Sequence, residues 1–220
     1  MRALNHRVRR GRRGFTIIEM SITLTVLAMV VGSVASIVLT GRKAYEQGMS
    51  VSAVEMQARR ALERIASEIT PAVRTTMTPT ATAPLGTSTL SFRTCEGAIG
   101  GVVQTSALMR IELRQDPRDA DDGLDNDGDG LIDEGEIALV RDAGGANEVD
   151  AVIVRNVSEY LEGETVNLAD DNGNGLADER GLSLVVDANG TLTIRLTLEA
   201  VDPNNQLVRR TVETSVSMRN

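Results

Sequence analysis

The densest chemistry in this chain lies between residues 125 and 136. It reads Asp125-Asn126-Asp127-Gly128-Asp129-Gly130-Leu131-Ile132-Asp133-Glu134-Gly135-Glu136. Asp125, Asp127 and Asp129, at the first, third and fifth places, supply three hard oxygen donors. Gly130 permits a sharp turn, and Leu131 offers its backbone carbonyl. Asp133 is placed to bind directly or through water, and Glu136 to close the shell with two oxygens. This is the spacing of a twelve-residue calcium loop. Carboxylates this close repel one another without a cation. The plainer alternative is a set of solvated Asp-Gly turns. Calcium, in a structural role, is the expected cofactor, because magnesium prefers few carboxylates and many waters.

The pattern recurs as Asp170-Asp171-Asn172-Gly173-Asn174-Gly175-Leu176-Ala177-Asp178-Glu179. Asp170, Asn172 and Asn174 repeat the first three places, and Leu176 repeats the carbonyl. Asn replaces Asp twice, which lowers the charge. Gly181 stands where the closing Glu is expected, so Asp178 or Glu179 must complete the shell. Neither loop is flanked by a convincing pair of helices, so no EF-hand domain is expected.

Little else in the chain points to chemistry. There is one histidine, His6, and one cysteine, Cys95. A Cys–His pair, a thiolate or imidazole metal site and an intrachain disulfide are therefore excluded. Cys95 reads as a small buried apolar residue. No nucleophile–base pair or phosphate-binding glycine loop is present, so an enzyme is not expected. Aromatic residues make up 2% and Trp is absent, which removes a stacking surface for single-stranded nucleic acid. The net charge is −8, yet the first 14 residues hold six arginines and no acid. The remainder is therefore more acidic than the whole. An acidic body argues against a nucleic-acid partner and favours cations or simple solubility.

The loops need elements to hold them. Ala107, Met109, Ile111 and Leu113 alternate with Leu108, Arg110, Glu112 and Arg114, and Leu192, Ile194, Leu196 and Leu198 alternate with polar neighbours, the period of a half-buried strand. Ile137–Val140, Val149–Val154, Val185–Val186 and Val212, Val216 and Met218 suggest further strands. Asn189-Gly190 is a two-residue hairpin signal, and Pro203-Asn204-Asn205 another turn. Upstream, Val51, Val54, Ala58, Ala61, Leu62, Ile65 and Ile69 recur at three- and four-residue steps, one apolar face of a helix. Glu55–Arg59 and Arg64–Glu68 sit at i,i+4 on the other face. Pro71 should stop this helix at Thr70. The expected fold class is α+β: a long N-terminal helix packed against a mostly antiparallel β-sheet head with acidic loops.

From Ile17 to Leu39 the chain is nearly all apolar or small, with Glu19 its one ionisable residue. The run is long enough to cross a bilayer, which takes about 20 residues. The preceding arginines place the N-terminus in the cytoplasm and the rest beyond the membrane. A helix from Phe15 to Thr70 would be roughly 84 Å long at 1.5 Å per residue. A secretory signal peptide, with Gly32–Ser33 or Ala35–Ser36 misread as its cleavage site, is one rival reading. A plain stop-transfer anchor is another.

The segment Arg13-Gly14-Phe15-Thr16-Ile17-Ile18-Glu19 resembles the prepilin signal of type IV pilins and of type II secretion pseudopilins. The resemblance implies cleavage between Gly14 and Phe15 by prepilin peptidase, N-methylation of the new Phe15 amine, and an assembly role for Glu19. In that family the acid meets the free amine of a neighbouring subunit's first residue. The alternative is that Glu19 sits at headgroup level. Gln57–Ile65, Leu90–Arg93, Ile111–Arg114 with Glu136–Arg141, and Val216–Asn220 resemble segments of the minor pseudopilin J and of W-type minor pilins. The first acidic loop then looks like an insertion between two paired strands.

The expected organisation is a cleaved basic leader (1–14), a membrane-spanning or filament-core helix (15–40), an amphipathic continuation (41–70), a linker (71–87) and a periplasmic β-rich head (88–220). The expected function is a minor pilin or pseudopilin, anchored in the bacterial inner membrane by one span and assembled with other pilins near a filament tip. The alternative is a membrane-tethered, calcium-dependent adhesive or substrate-docking protein on a pilin stem.

Overall fold

The computed structural model describes residues 14–78, 87–186 and 191–217. Residues 1–13 of the expected leader, much of the linker, the Asn189-Gly190 turn and Met218 lie outside the described residues. One uninterrupted helix, α1 (Ile17–Ile69, 53 residues), leads the fold. The chain forms two compact units, Met1–Tyr45 and Glu46–Asn220.

In the first unit every described residue is exposed. The helix is long and apolar enough to cross a membrane. Its few hydroxyls bond back to the helix itself: Thr23 donates to the Glu19 carbonyl at 2.7 Å, Thr25 to Ser21 at 2.9 Å and Ser33 to Met29 at 2.9 Å. Those hydroxyls therefore need no water.

In the second unit the remaining turns of α1 bury Val54, Ala58, Ala61, Leu62, Ile65 and Ile69, the face that the spacing predicts, with Val51 partly buried beside them. The outer face carries the Glu55–Arg59 and Arg64–Glu68 ion pairs at 2.6 and 2.7 Å. The helix ends at Ile69, one residue before the expected Thr70, although the Thr70 N–H still donates to the Ala66 carbonyl. A short 3₁₀ turn, Arg74–Thr76, follows.

The strands are β1 (Thr89–Phe92), β2 (Cys95–Ile99), β3 (Val102–Thr105), β4 (Met109–Gln115), β5 (Gly135–Arg141), β6 (Val149–Val157), β7 (Leu182–Val186), β8 (Thr191–Val201) and β9 (Leu207–Ser217). Seven of them form one antiparallel sheet in the order β1-β4-β5-β6-β8-β7, with β9 on the other edge of β8. Ile111 faces Leu139 across β4 and β5, and Leu192 faces Val216 across β8 and β9. On β8, Leu192, Ile194, Leu196 and Leu198 all point inward and are buried. They join Phe92, Leu90 and the apolar face of α1 in one core. The α+β fold is therefore as expected, with a mostly antiparallel sheet covering the helix.

Two details differ from expectation. Ala107 is exposed and lies outside β4, which begins at Met109. Cys95 is exposed, not buried. It opens a hairpin, β2–β3, that forms its own two-stranded sheet apart from the main one. The hairpin turns through Gly100 and Gly101 at φ 60° and 81°. Two successive positive φ angles are the geometry of a tight hairpin loop and suit glycine. That Gly-Gly signal was present in the sequence between two short β-rich stretches.

Candidate functional site

At the helix N-terminus, Gly14 and Phe15 are exposed and precede α1. Glu19 N–H donates to Thr16 Oγ1 at 3.2 Å, and Thr16 N–H to Glu19 Oε2 at 3.4 Å. This is a reciprocal capping box, Thr-x-x-Glu, which satisfies two otherwise orphaned helix donors. Glu19 thus has a local role that its spacing from Thr16 already encoded. The glutamate is held at the first turn of the helix.

The first acidic loop, 116–134, joins the neighbouring strands β4 and β5, as an insertion between paired strands should. One carboxylate oxygen from each of Asp125, Asp127 and Asp129 lies within 4.8 Å of the other two. The turn is shaped by side chain to backbone bonds. Asp125 accepts from Gly128 N at 2.6 Å and from Gly130 N at 3.0 Å, and Asp129 accepts from Leu131 N at 2.9 Å. Gly130 has φ 90°, which a side chain would resist. Leu131 buries its side chain beneath the loop. Asp133 accepts from the N–H groups of Asp122 and Gly123 and so closes the base of the loop.

Glu136 is not part of the three-carboxylate cluster. It lies in β5, where its cross-strand partner is Arg114. Arg114 Nε donates to Glu136 Oε1 at 2.9 Å, and Arg155 Nη1 stands 3.2 Å from Oε2. With two guanidiniums on it, Glu136 is neutralised inside the sheet. The closing position that the twelve-residue spacing gave it thus coincides with a residue that strand register sets beside two arginines. Arg155 also reaches the buried Asp116, as does Arg118, at 2.9 and 2.7 Å. The Arg118 side chain bonds first among the causes that hold the Asp116 carboxyl down at about 2. Arg118 also lies 3.2 Å from Asp127.

Two further acids, which the twelve-residue spacing misses, belong to this loop. Asp119 is 1% exposed and accepts from Asn126 N and Asp133 N, both at 2.7 Å. These bonds, the one from Asn126 foremost, lower its pKa. Glu134 is also 1% exposed, and neither carboxylate oxygen meets a hydrogen-bond donor among the described residues. Burial above all, with the carboxylates of Asp119 and Asp129 beside it, pushes Glu134 up to about 7.

The second acidic loop, 158–181, joins β6 to β7 and is built on the same plan. The two loops run in register at a constant offset of 45 residues (119 with 164, 133 with 178). Asp170 accepts from Gly173 N and Gly175 N as Asp125 does from Gly128 and Gly130. Asn174 accepts from Leu176 N as Asp129 does from Leu131. Asp178 accepts from Asn167 N and Leu168 N, and its own N–H donates to Glu164 at 3.0 Å, repeating Asp133 and Asp119. The backbone repeats too: Asp116 N donates to the Glu134 carbonyl, and Leu161 N to the Glu179 carbonyl. The bridge Tyr160–Arg180 repeats the pair Gln115–Gly135. An acid six places before the first loop aspartate, Asp119 or Glu164, was the available sequence signal for this larger unit.

The copies differ at one buried carboxylate. Glu179, the counterpart of Glu134, is fully buried but well partnered. Ser183 Oγ donates to it at 2.7 Å, Arg195 Nη1 at 3.1 Å, and Asn174 Nδ2 also donates to it. Gly181, in the place of Glu136, has a physical reason: a Cβ there would lie 1.7 Å from the Ser158 carbonyl oxygen.

Residues 9–35 match the family described as Prokaryotic N-terminal methylation motif. The match supports a type IV pilin-like protein, and with the apolar helix it fits a membrane-anchored, single-pass pilin. It implies processing by prepilin peptidase and assembly with other pilins. No curated protein and no solved structure matches the chain.

Proposed function

We propose that this chain is a non-catalytic, pilin-like filament subunit of the minor pseudopilin J or W-type minor pilin kind. The methylation motif running directly into an exposed apolar helix carries this reading. Prepilin peptidase cuts between Gly14 and Phe15, and Phe15 becomes N-methylated. The apolar part of α1 stays in the inner membrane or in the filament core, with the β-rich head in the periplasm near the tip of a type II secretion or type IV pilus filament. Calcium stabilises that head.

A carboxylate in hydrocarbon costs about 2.5–3.5 kcal/mol, so Glu19 needs a partner there. The new amine of a neighbouring copy's Phe15 supplies it. The position of Glu19 in the first turn, one helical turn from residue 15, supports this pairing.

Intact mass of the membrane form tests the processing. In cells with active prepilin peptidase the chain should lack residues 1–14 and carry one added methyl group. A mass that retains those residues sinks the reading. Glu19→Leu should still be cut but should no longer cross-link to neighbouring subunits. Normal cross-linking by that variant would remove the assembly role.

A further inference from the structure

Among the described residues β9 pairs with β8 alone, over eleven residues and without a register shift. The Thr197 N–H donates to the Gly181 carbonyl, and the Thr197 carbonyl accepts from Ser158 N, so the backbone groups of Thr197 face β6 and β7. Register pairs Thr197 with Thr211. The backbone groups of Thr211, and of every second residue along β9, are therefore turned outward to the free edge. This edge has no proline, no lysine and no bulge, which makes it a template for another strand. One ion pair covers its middle. Glu162 Oε2 accepts from Thr211 N at 3.3 Å, Arg210 Nη1 donates to the Arg209 carbonyl at 2.7 Å, and the two side chains stand 3.4 Å apart. The Glu162 carboxylate and the Arg210 guanidinium thus stand where the carbonyl and N–H of a partner strand would. Both side chains are partly exposed, so water can receive them when they leave.

We propose that this edge takes up β9 of a second copy of the chain, antiparallel and centred on Thr211, and that the Glu162–Arg210 pair is a catch that must release first. Charge selects the occupant. In that register Arg209 lies opposite Glu213 of the second copy, and Glu213 opposite its Arg209, with both residues on the exposed face of β9. Opposite charges directly across a strand pair stabilise it, and like charges oppose it. Centring on Arg209 or on Glu213 would instead set like charges face to face. The contact is the same patch on both copies, as a two-fold interface requires. Inside the chain Arg209 already meets Glu199, and Glu213 meets Arg195. The cross-pairs therefore fix the register, while the strand hydrogen bonds supply the affinity. This contact is made by the head, goes beyond assembly through α1 and does not depend on Glu19.

The test uses the full chain purified in detergent and carrying Cys95→Ser, which removes its one native thiol. Thr211→Cys then reports the register, because facing Cα atoms in a hydrogen-bonded antiparallel pair lie about 5.5 Å apart, within disulfide range. Ser217→Cys controls for association through the apolar helix, since this register sets position 217 opposite position 205 and not opposite itself. With Glu162→Ala added, the Thr211→Cys chain should form disulfide-linked dimers about fivefold faster than with Glu162 in place, the weight of one ordinary hydrogen bond. Arg210→Met should act in the same direction. In the Glu162→Ala chain, Arg209→Glu should slow the linkage, and adding Glu213→Arg should restore it. Linkage of Thr211→Cys no faster than that of Ser217→Cys, or no rescue by the charge swap, overturns the contact. Equal rates with and without Glu162 overturn the catch. None of these outcomes bears on cleavage at Gly14, which intact mass reads, or on the Glu19 pairing, which is read in the membrane.

Discussion

Arg195 Nη1 lies 3.1 Å from a carboxylate oxygen of the buried Glu179, and Nε of the same guanidinium lies 2.7 Å from Glu213. Residue 195 sits in the middle of β8, with Ser183 of β7 on one side and Glu213 of β9 on the other. The base of the second acidic loop is therefore tied to β8 and β9 through this one side chain, and to β7 through the Ser183 hydroxyl. Removing that side chain leaves a buried carboxylate without its counter-charge. Arg195→Met should cost about 3–5 kcal/mol. Pairing it with Glu179→Leu should cost less than the sum of the two single changes. Denaturant melts of the four proteins measure the coupling, and strict additivity would mean that the ion pair does nothing for stability.

Asp116 carries the acid response of the first loop. Its carboxyl is held at about 2, below the ordinary 3.8, first by the Arg118 side-chain bonds and also by Arg155. A depressed folded pKa stabilises above the unfolded value and is lost as pH falls through the folded one. Stability should thus decline between about pH 4 and pH 2. In Asp116→Asn this part of the decline should disappear, with a loss at neutral pH of roughly 1.5–3 kcal/mol from the broken charged hydrogen bonds. Melting curves at stepped pH check both, and parallel profiles for the two proteins would contradict the assignment.

Ile65 is fully buried where α1 meets the sheet. Ile65→Ala removes methyl groups from a packed core and should destabilise by about 2–5 kcal/mol. Met56 on the same helix is half exposed, and Met56→Ala should stay within about 0.5 kcal/mol. Equal effects on Tm would argue that the helix does not dock on the sheet by this face.

Gly181 has no space for a side chain. A Cβ would meet the Ser158 carbonyl oxygen at 1.7 Å, and Gly181 N–H is already bonded to the Glu159 carbonyl. Gly181→Ala should force the strand ends apart and cost more than about 3 kcal/mol, beyond the usual overpacking penalty. Gly173 has nothing near its Cβ but a φ of 76°, so Gly173→Ala should cost only about 1–2 kcal/mol. Hydrogen exchange at Thr197 N, which donates to the Gly181 carbonyl, reports the difference locally. Protection unchanged in Gly181→Ala would show that the strand ends accommodate the methyl.

Much of the molecule was readable along the chain because it depends on local spacing. The apolar run after Glu19, the helical stripe from Val51 to Ile69 and the alternation of Leu192 to Leu198 each encode a face, and the structure buries or exposes those faces accordingly. The Asp-Gly repeats encode two turns, because their first aspartates cap backbone donors only three to five residues away. The methylation motif is likewise a short linear signal.

Charge partnership across the sheet, unlike the i,i+4 pairs on α1, was decided by the tertiary structure alone. Glu136 meets Arg114 and Arg155 because β5 lies between β4 and β6. Glu179 meets Arg195, and Glu134 meets no base within ion-pairing distance among the described residues, although both acids follow an aspartate in near-identical loops. Exposure of Cys95 depends in the same way on where the β2–β3 hairpin stands apart from the main sheet. Sequence spacing fixes which side chains share a turn. Strand register fixes which charges meet across a sheet, and that register is set by the packing of the whole core.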